Sequence, residues 1–173
     1  MFFDTIQAQK SLVLQKYLIE YTVKNAGIKS KGRFDKASAA VVFDENQLDL
    51  SRISATIQVS SFNSGITLRD NHLKAEGYFD AKNFPSITLV STKIMKSGTA
   101  NNFIGTFDLT IKNTTKSIQL PFTVIKNTNQ VEFKTTEFSI DRTEFGVGKS
   151  SFTLSNTVRV AISATFFKLK IRV

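Results

Sequence analysis

Ile53-Ser54-Ala55-Thr56-Ile57-Gln58-Val59-Ser60 puts an apolar side chain at every second position. Successive side chains of a β-strand point to opposite faces, so this run describes a strand with one dry and one wet face. A helix would scatter the same four apolar groups around its circumference. The alternation recurs on both sides of this stretch. Upstream, Ile19, Tyr21 and Val23 alternate with Glu20, Thr22 and Lys24, and Ala39, Val41 and Phe43 repeat the pattern. Downstream, Phe103, Phe107, Leu109 and Ile111 share one face, and Ile118, Leu120, Phe122 and Val124 another. Val158, Val160, Ile162, Ala164 and Phe166 form the last such run.

Two irregularities predict local breaks. Pro121 cannot donate to a ladder, and its place in an alternating run predicts an edge position or a bulge. Val131 and Phe133 lie out of phase with Phe138 and Ile140, so both pairs face inward only if the chain bulges near Thr135–Glu137. Turn-forming clusters separate the runs: Asn25-Ala26-Gly27, Asp44-Glu45-Asn46, Lys96-Ser97-Gly98, Lys112-Asn113-Thr114 and Asn127-Thr128-Asn129. Many short strands joined by polar turns predict one all-β domain over residues 1–173, a sandwich or an antiparallel barrel. From Leu68 to Pro85 the alternation lapses, and Leu68-Arg69-Asp70-Asn71-His72-Leu73 reads as a short helix in a long connection around residues 68–80. Such a connection in a compact domain is usually functional or closes the core. Residues 167–173 continue the alternation with lysine and arginine, which predicts an extended C-terminal strand or tail suited to pairing with a second copy.

Composition narrows the function classes. Sixteen Phe, three Tyr and no Trp give an interior of large apolar groups with few polar handles. The absence of cysteine excludes disulfides, thiolate metal sites and a Cys nucleophile. No run approaches the roughly 18 apolar residues of a membrane-spanning helix. Met1-Phe2-Phe3-Asp4 lacks the basic and apolar regions of a signal peptide. The formal charge of +9 suits anionic headgroups, a membrane face or nucleic acid, but the basic residues are scattered along the chain, as on an ordinary solvated surface.

Motifs for catalysis are weak. His72 is the single histidine, and with Asp70, Glu76 and Asp80 it makes a poor metal or acid–base set, so it reads as structural. No Gly-x-Ser-x-Gly elbow is present. Gly146-Val147-Gly148-Lys149-Ser150 lacks the earlier glycine of a phosphate loop, Thr143 standing there, and an alternating strand follows where a helix is required.

Arg69-Asp70-Asn71-His72-Leu73-Lys74, Tyr78-Phe79-Asp80, Phe84-Pro85-Ser86-Ile87-Thr88 and Asp141-Arg142-Thr143-Glu144-Phe145-Gly146-Val147 carry a likeness. In order and spacing the chain resembles the YceI-like family of polyisoprenoid-binding proteins from about Ser11 to Phe166. Tyr78 and Phe84 exchange one ring type for another, and Asn113 stands where glycine is usual. The resemblance implies a lipocalin-like barrel enclosing a polyisoprenoid or other long-chain lipid. It also implies a periplasmic or secreted address, although the sequence leaves a cytoplasmic one open.

On that reading the cavity lining comprises Ile19, Tyr21, Phe43, Ile57, Val59, Leu89, Phe107, Leu109, Phe122, Phe138, Ile140 and Ile162. Arg69, Asp70, His72, Leu73 and Phe79 belong to a loop closing the barrel, pinned by an Arg69–Asp70 interaction. No catalytic residue, metal or cofactor is expected. The partners expected are the lipid, a membrane met transiently and a second copy, not nucleic acid. Two other classes stay open: a basic barrel binding nucleic acid through exposed aromatic platforms, and a lipid-modifying enzyme with His72 as base. Alternation cannot decide whether the barrel is solid or hollow, since about eight strands suit either.

Overall fold

Among the described residues the alternating runs become eleven strands and the lapse becomes a helix. The computed structural model describes residues 12–168; residues 169–173, most of the expected tail, lie outside them. In chain order the strands are β1 Leu12–Asn25, β2 Ile28–Phe34, β3 Ala37–Val42, β4 Arg52–Gln58 and β5 Phe62–Asn63. After helix α1, Thr67–Lys74, come β6 Ser86–Lys96, β7 Asn102–Ile111, β8 Thr114–Lys126, β9 Gln130–Thr135, β10 Phe138–Asp141 and β11 Leu154–Lys168. Hydrogen bonding runs β3-β4-β6-β7-β8-β9-β11-β1-β2-β5, with β10 also on β11, and the pairings are antiparallel.

The sheet curls into a barrel whose ladder is interrupted at one corner. β2 and β3 are separated by Asp35 and Lys36, while β4 and β5 are separated by a 3-10 turn, Val59–Ser61. Across the corner the Asp35 amide donates to Ser61 O at 3.1 Å and the Gln58 amide to Lys36 O at 2.9 Å. Asp35 also takes the Asn63 side-chain amide and the Arg33 guanidinium. These two bonds hold its carboxyl below the usual carboxylate range, the Asn63 bond first. Beyond the reach of β2, Tyr17 spans the gap from β1 to β3: its hydroxyl donates to Asp35 O and accepts from the Ala37 amide, at 2.8 and 2.9 Å.

The two expected irregularities take definite form. β9 and β10 are separated at Thr136–Glu137, and Phe138 resumes pairing with β11 at Val160. The Thr135 hydroxyl accepts the Ile162 amide at 3.0 Å, satisfying a donor that the break strands. Pro121 sits inside β8, opposite Ile104. Its carbonyl accepts from the Thr136 amide, so its missing N–H faces the place where β9 stops. Leu154 opens a strand after Gly148-Lys149, in keeping with rejection of a phosphate loop.

Candidate functional site

Inward-pointing residues have two fates along the barrel axis. At the end bearing the β6–β7 and β8–β9 turns, phenylalanines fill the interior. Phe43 meets Phe103 and Phe133 edge-on, with centroids 5.1 and 5.4 Å apart. Phe122 lies against Phe103 at 5.6 Å and Phe107 at 6.3 Å, and Phe133 meets Phe166 at 5.6 Å. Each ring fills the space that its neighbour leaves, and Phe103 and Phe166 are almost wholly buried.

Toward the other end the barrel is hollow. A cavity of about 520 Å³ lies between β1, β10 and β11 on one side and β4, β6 and β7 on the other. That volume falls within the usual range for small-molecule sites. Its aliphatic wall comes from alternating positions: Ile19 and Val23 on β1, Ile87 and Leu89 on β6, Leu109 and Ile111 on β7, Val158, Val160 and Ile162 on β11. Cross-strand registry stacks them in rows, with Ile19 opposite Ile162, Val23 opposite Val158 and Leu89 opposite Leu109. An aromatic wall faces them. Phe62 packs on Tyr21 at 4.9 Å, Phe34 at 5.4 Å and Phe79 at 5.7 Å.

Polar groups at the cavity are few, and α1 brings two of them. Arg69 Nε donates to Ser64 Oγ at 2.8 Å and Nη2 to Ser64 O at 2.9 Å. Asp70 is buried and accepts from the Ser64 amide and hydroxyl. The direct Arg69–Asp70 interaction expected from sequence is therefore replaced by Ser64, which both side chains grip. His72 is exposed, borders the cavity and packs on Tyr78 at 4.8 Å. Among the described residues no cluster of His, Cys, Asp and Glu has the makings of a metal site.

Tyr21 is the unusual wall residue. Among the described residues its hydroxyl is a buried polar atom with no hydrogen-bond partner. Burial pushes its pKa up to about 12, an effect that the nearby Arg69 charge opposes. Its ring lies over Gly32: a Cβ there would fall 2.3 Å from the Tyr21 oxygen. Glycine is thus what lets this ring lie flat in the wall.

The other side of the mouth hangs on Arg142. This guanidinium is buried and donates to the carbonyls of Val147, Ser155, Lys149 and Leu154 at 2.8 to 3.1 Å. It ties residues 147–155 against the barrel rim, where Val147, Ser151, Thr153 and Leu154 border the cavity. Gly148, at φ 70°, lets this segment press on Tyr78.

Of the twelve residues expected to line the cavity, Ile19, Tyr21, Ile57, Leu89, Leu109, Phe138, Ile140 and Ile162 stand on its wall. Phe43, Phe107 and Phe122 do not: they belong to the packed aromatic end. Val59 is buried in the 3-10 turn after β4, where strand alternation has ended. Of the loop residues, Arg69, His72, Leu73 and Phe79 border the cavity and Asp70 anchors Ser64 beside it. Sequence reading missed Phe34, Val158 and Val160, whose inward parity was visible, and Phe62 and Arg142, which follow or sit in 3-10 turns where parity says nothing.

The YceI-like domain model matches residues 5–166, nearly the full described chain. The chain belongs to the YceI-like family. Among solved structures, Burkholderia cenocepacia BcnA is 27% identical and superposes with a TM-score of 0.80, covering 86% of this chain and 95% of that one. A Campylobacter jejuni YceI protein, also 27% identical, gives 0.72 over 82% and 86%. A polyisoprenoid binding domain from Saccharophagus degradans, implicated in plant cell wall breakdown, gives 0.74 over 93% and 99%. At 14% identity it supports the fold alone. UPF0312 proteins of Staphylococcus aureus are 39% identical over 98 residues, 56% of this chain and 54% of theirs. The chain thus spans about half the length of these relatives in the matched region.

Proposed function

We propose that this YceI-like chain binds one long-chain apolar molecule, an isoprenoid or similar amphiphile, without chemical change to it. The observation that carries this reading is the hollow of about 520 Å³ walled by aliphatic and aromatic side chains. An apolar chain entering it loses contact with water at roughly 25 cal/mol per Å² of buried surface, enough to hold a long tail without a covalent step. The family, and the polyisoprenoid binding domain that shares the fold, favour an isoprenoid tail.

The polar groups at one side give the ligand a direction. Arg69 brings a guanidinium to the wall that Tyr21 and Phe62 share, so a head that accepts hydrogen bonds would lie there with its tail among β6, β7 and β11. The protein would carry or sequester the lipid, in the periplasm or outside the cell; fractionation of the source cells tests the address.

Native mass spectrometry of the purified protein, followed by organic extraction, tests the binding reading. One apolar molecule per chain is expected, together with uptake of an added isoprenol by stripped protein. Protein that comes empty and takes up no isoprenoid or fatty chain overturns it.

A further inference from the structure

The cavity opens toward an end of the barrel whose exposed residues are of an unusual kind. Ser151 and Thr153 border the cavity, and Phe152 between them is fully exposed. The Ala26 amide donates to Thr153 O at 2.7 Å, which sets Phe152 beside the β1–β2 turn, where Ile28 is 74% exposed. On α1, Leu68 is 82% exposed and precedes Arg69 of the cavity wall. Large apolar groups held in water by an ordered rim are an interaction surface in waiting. Those on the outer strand faces, such as Val13, Leu18 and Val90, are less than half exposed.

Charge at the same end is one-sided. From Tyr21 to Phe34 the chain carries Lys24, Lys29, Lys31 and Arg33 and no carboxylate, and the segment from Gly146 to Val158 adds Lys149. The four lysines are exposed. Of the nearby carboxylates, Asp70 and Asp80 are buried and Glu144 is paired with Lys116. Glu76 stands exposed. Three of these lysines thus lie on the β1–β2 hairpin, and the bond from Ala26 to Thr153 brings the segment that carries Lys149 beside it.

We propose that this rim docks on an anionic lipid bilayer, with Phe152, Ile28 and Leu68 entering the headgroup layer and Lys24, Lys29, Lys31 and Lys149 meeting anionic headgroups. Apolar anchors supply insertion and lysines supply attraction that salt screens. Docked this way, the cavity mouth faces the membrane, and a lipid passes between the two without crossing open water. The use of the contact rests on the lipid-binding reading; the contact itself does not.

Sedimentation with vesicles tests it, using phosphatidylcholine alone or mixed with phosphatidylglycerol, at low and physiological salt. Binding to the mixed vesicles is expected to be at least tenfold tighter and to weaken with salt. The double variant Phe152→Ser, Ile28→Ser and the double variant Lys29→Ala, Lys31→Ala should each lose about tenfold, while Leu50→Ser, an exposed apolar residue on the turn before β4, should lose nothing. Equal affinity for neutral and mixed vesicles, or no binding to either, overturns the proposal. Full binding by the Phe152, Ile28 variant, with equal affinity for a single-stranded oligonucleotide, overturns it in favour of a general polyanion patch. Co-purified lipid is measured in parallel. Lipid-loaded protein that ignores vesicles sinks docking alone, and protein that comes empty, takes up no isoprenoid or fatty chain and still sediments with mixed vesicles sinks the cavity reading alone.

Discussion

The packed and hollow ends of this barrel are built from the same strands with the same inward parity. β7 contributes Phe103 and Phe107 to the filled end, then Leu109 and Ile111 to the wall of the void. β11 contributes Phe166 to the filled end and Val158, Val160 and Ile162 to the void. The difference lies in what stands opposite. Where phenylalanines from β7, β8, β9 and β11 converge, six-membered rings reach across the axis and meet. Around the void, branched aliphatics of β1, β6, β7 and β11 look toward Tyr21, Phe34, Phe62 and Phe79, and the two walls stop short of each other. Phe166 is 1% exposed, whereas Val158, Val160 and Ile162 are only partly buried although they point inward. The shortfall is surface held open for a guest.

If that contrast is right, the largest effect belongs to the packed end. Phe103→Ala removes a ring from full contact and should cost about 3–5 kcal/mol in denaturant unfolding, the range for buried aromatic truncations; a cost near 1 would mean that this end is also loose. Next comes Ile162→Phe, which puts an added ring into the void. It should lower affinity for an isoprenol at least tenfold while changing stability by less than about 1.5 kcal/mol. Retained binding would place the ligand elsewhere. Val160→Ala, by contrast with Phe103→Ala, should cost no more than about 1 kcal/mol in the empty protein because its side chain already lacks partners on one side.

The smallest change is a gain, at Tyr21. Tyr21→Phe deletes a buried hydroxyl that has no partner, so the empty protein should gain up to about 1 kcal/mol in denaturant unfolding. Loss of stability in the empty form would show that Ser64 or Arg69 already satisfies the oxygen. The pH dependence follows from the same group. A phenol whose folded pKa is raised lends stability that is present below its unfolded value and lost as pH climbs through about 12. Ultraviolet titration should show a late phenolate step that disappears in Tyr21→Phe.

The sequence made the strands, turns and helix legible because alternation and turn chemistry are local. Inward parity was equally legible, which is why eight of the twelve expected lining residues stand on the cavity wall. Height along the axis was not: Phe107 and Leu109 share a strand and a face, and one fills while the other lines. That distinction depends on partners far away in sequence. Arg142 stood in one of the motif blocks, yet its role was hidden for another reason. Its role is to gather carbonyls from residues 147–155, and backbone acceptors leave no mark in the sequence. Arg69 and Asp70 drew attention as neighbours of opposite charge, yet the connecting atom is on Ser64.

Tyr17 gives the wall a property that a complete ladder would lack. Between β1 and β3 a phenol takes the place of paired main chains, holding Asp35 and Ala37 with one oxygen. A ladder opens by successive rupture along its length, whereas this fastening is undone by one torsion. Deuterium uptake at the Ala37 amide therefore reports how often the staves part there.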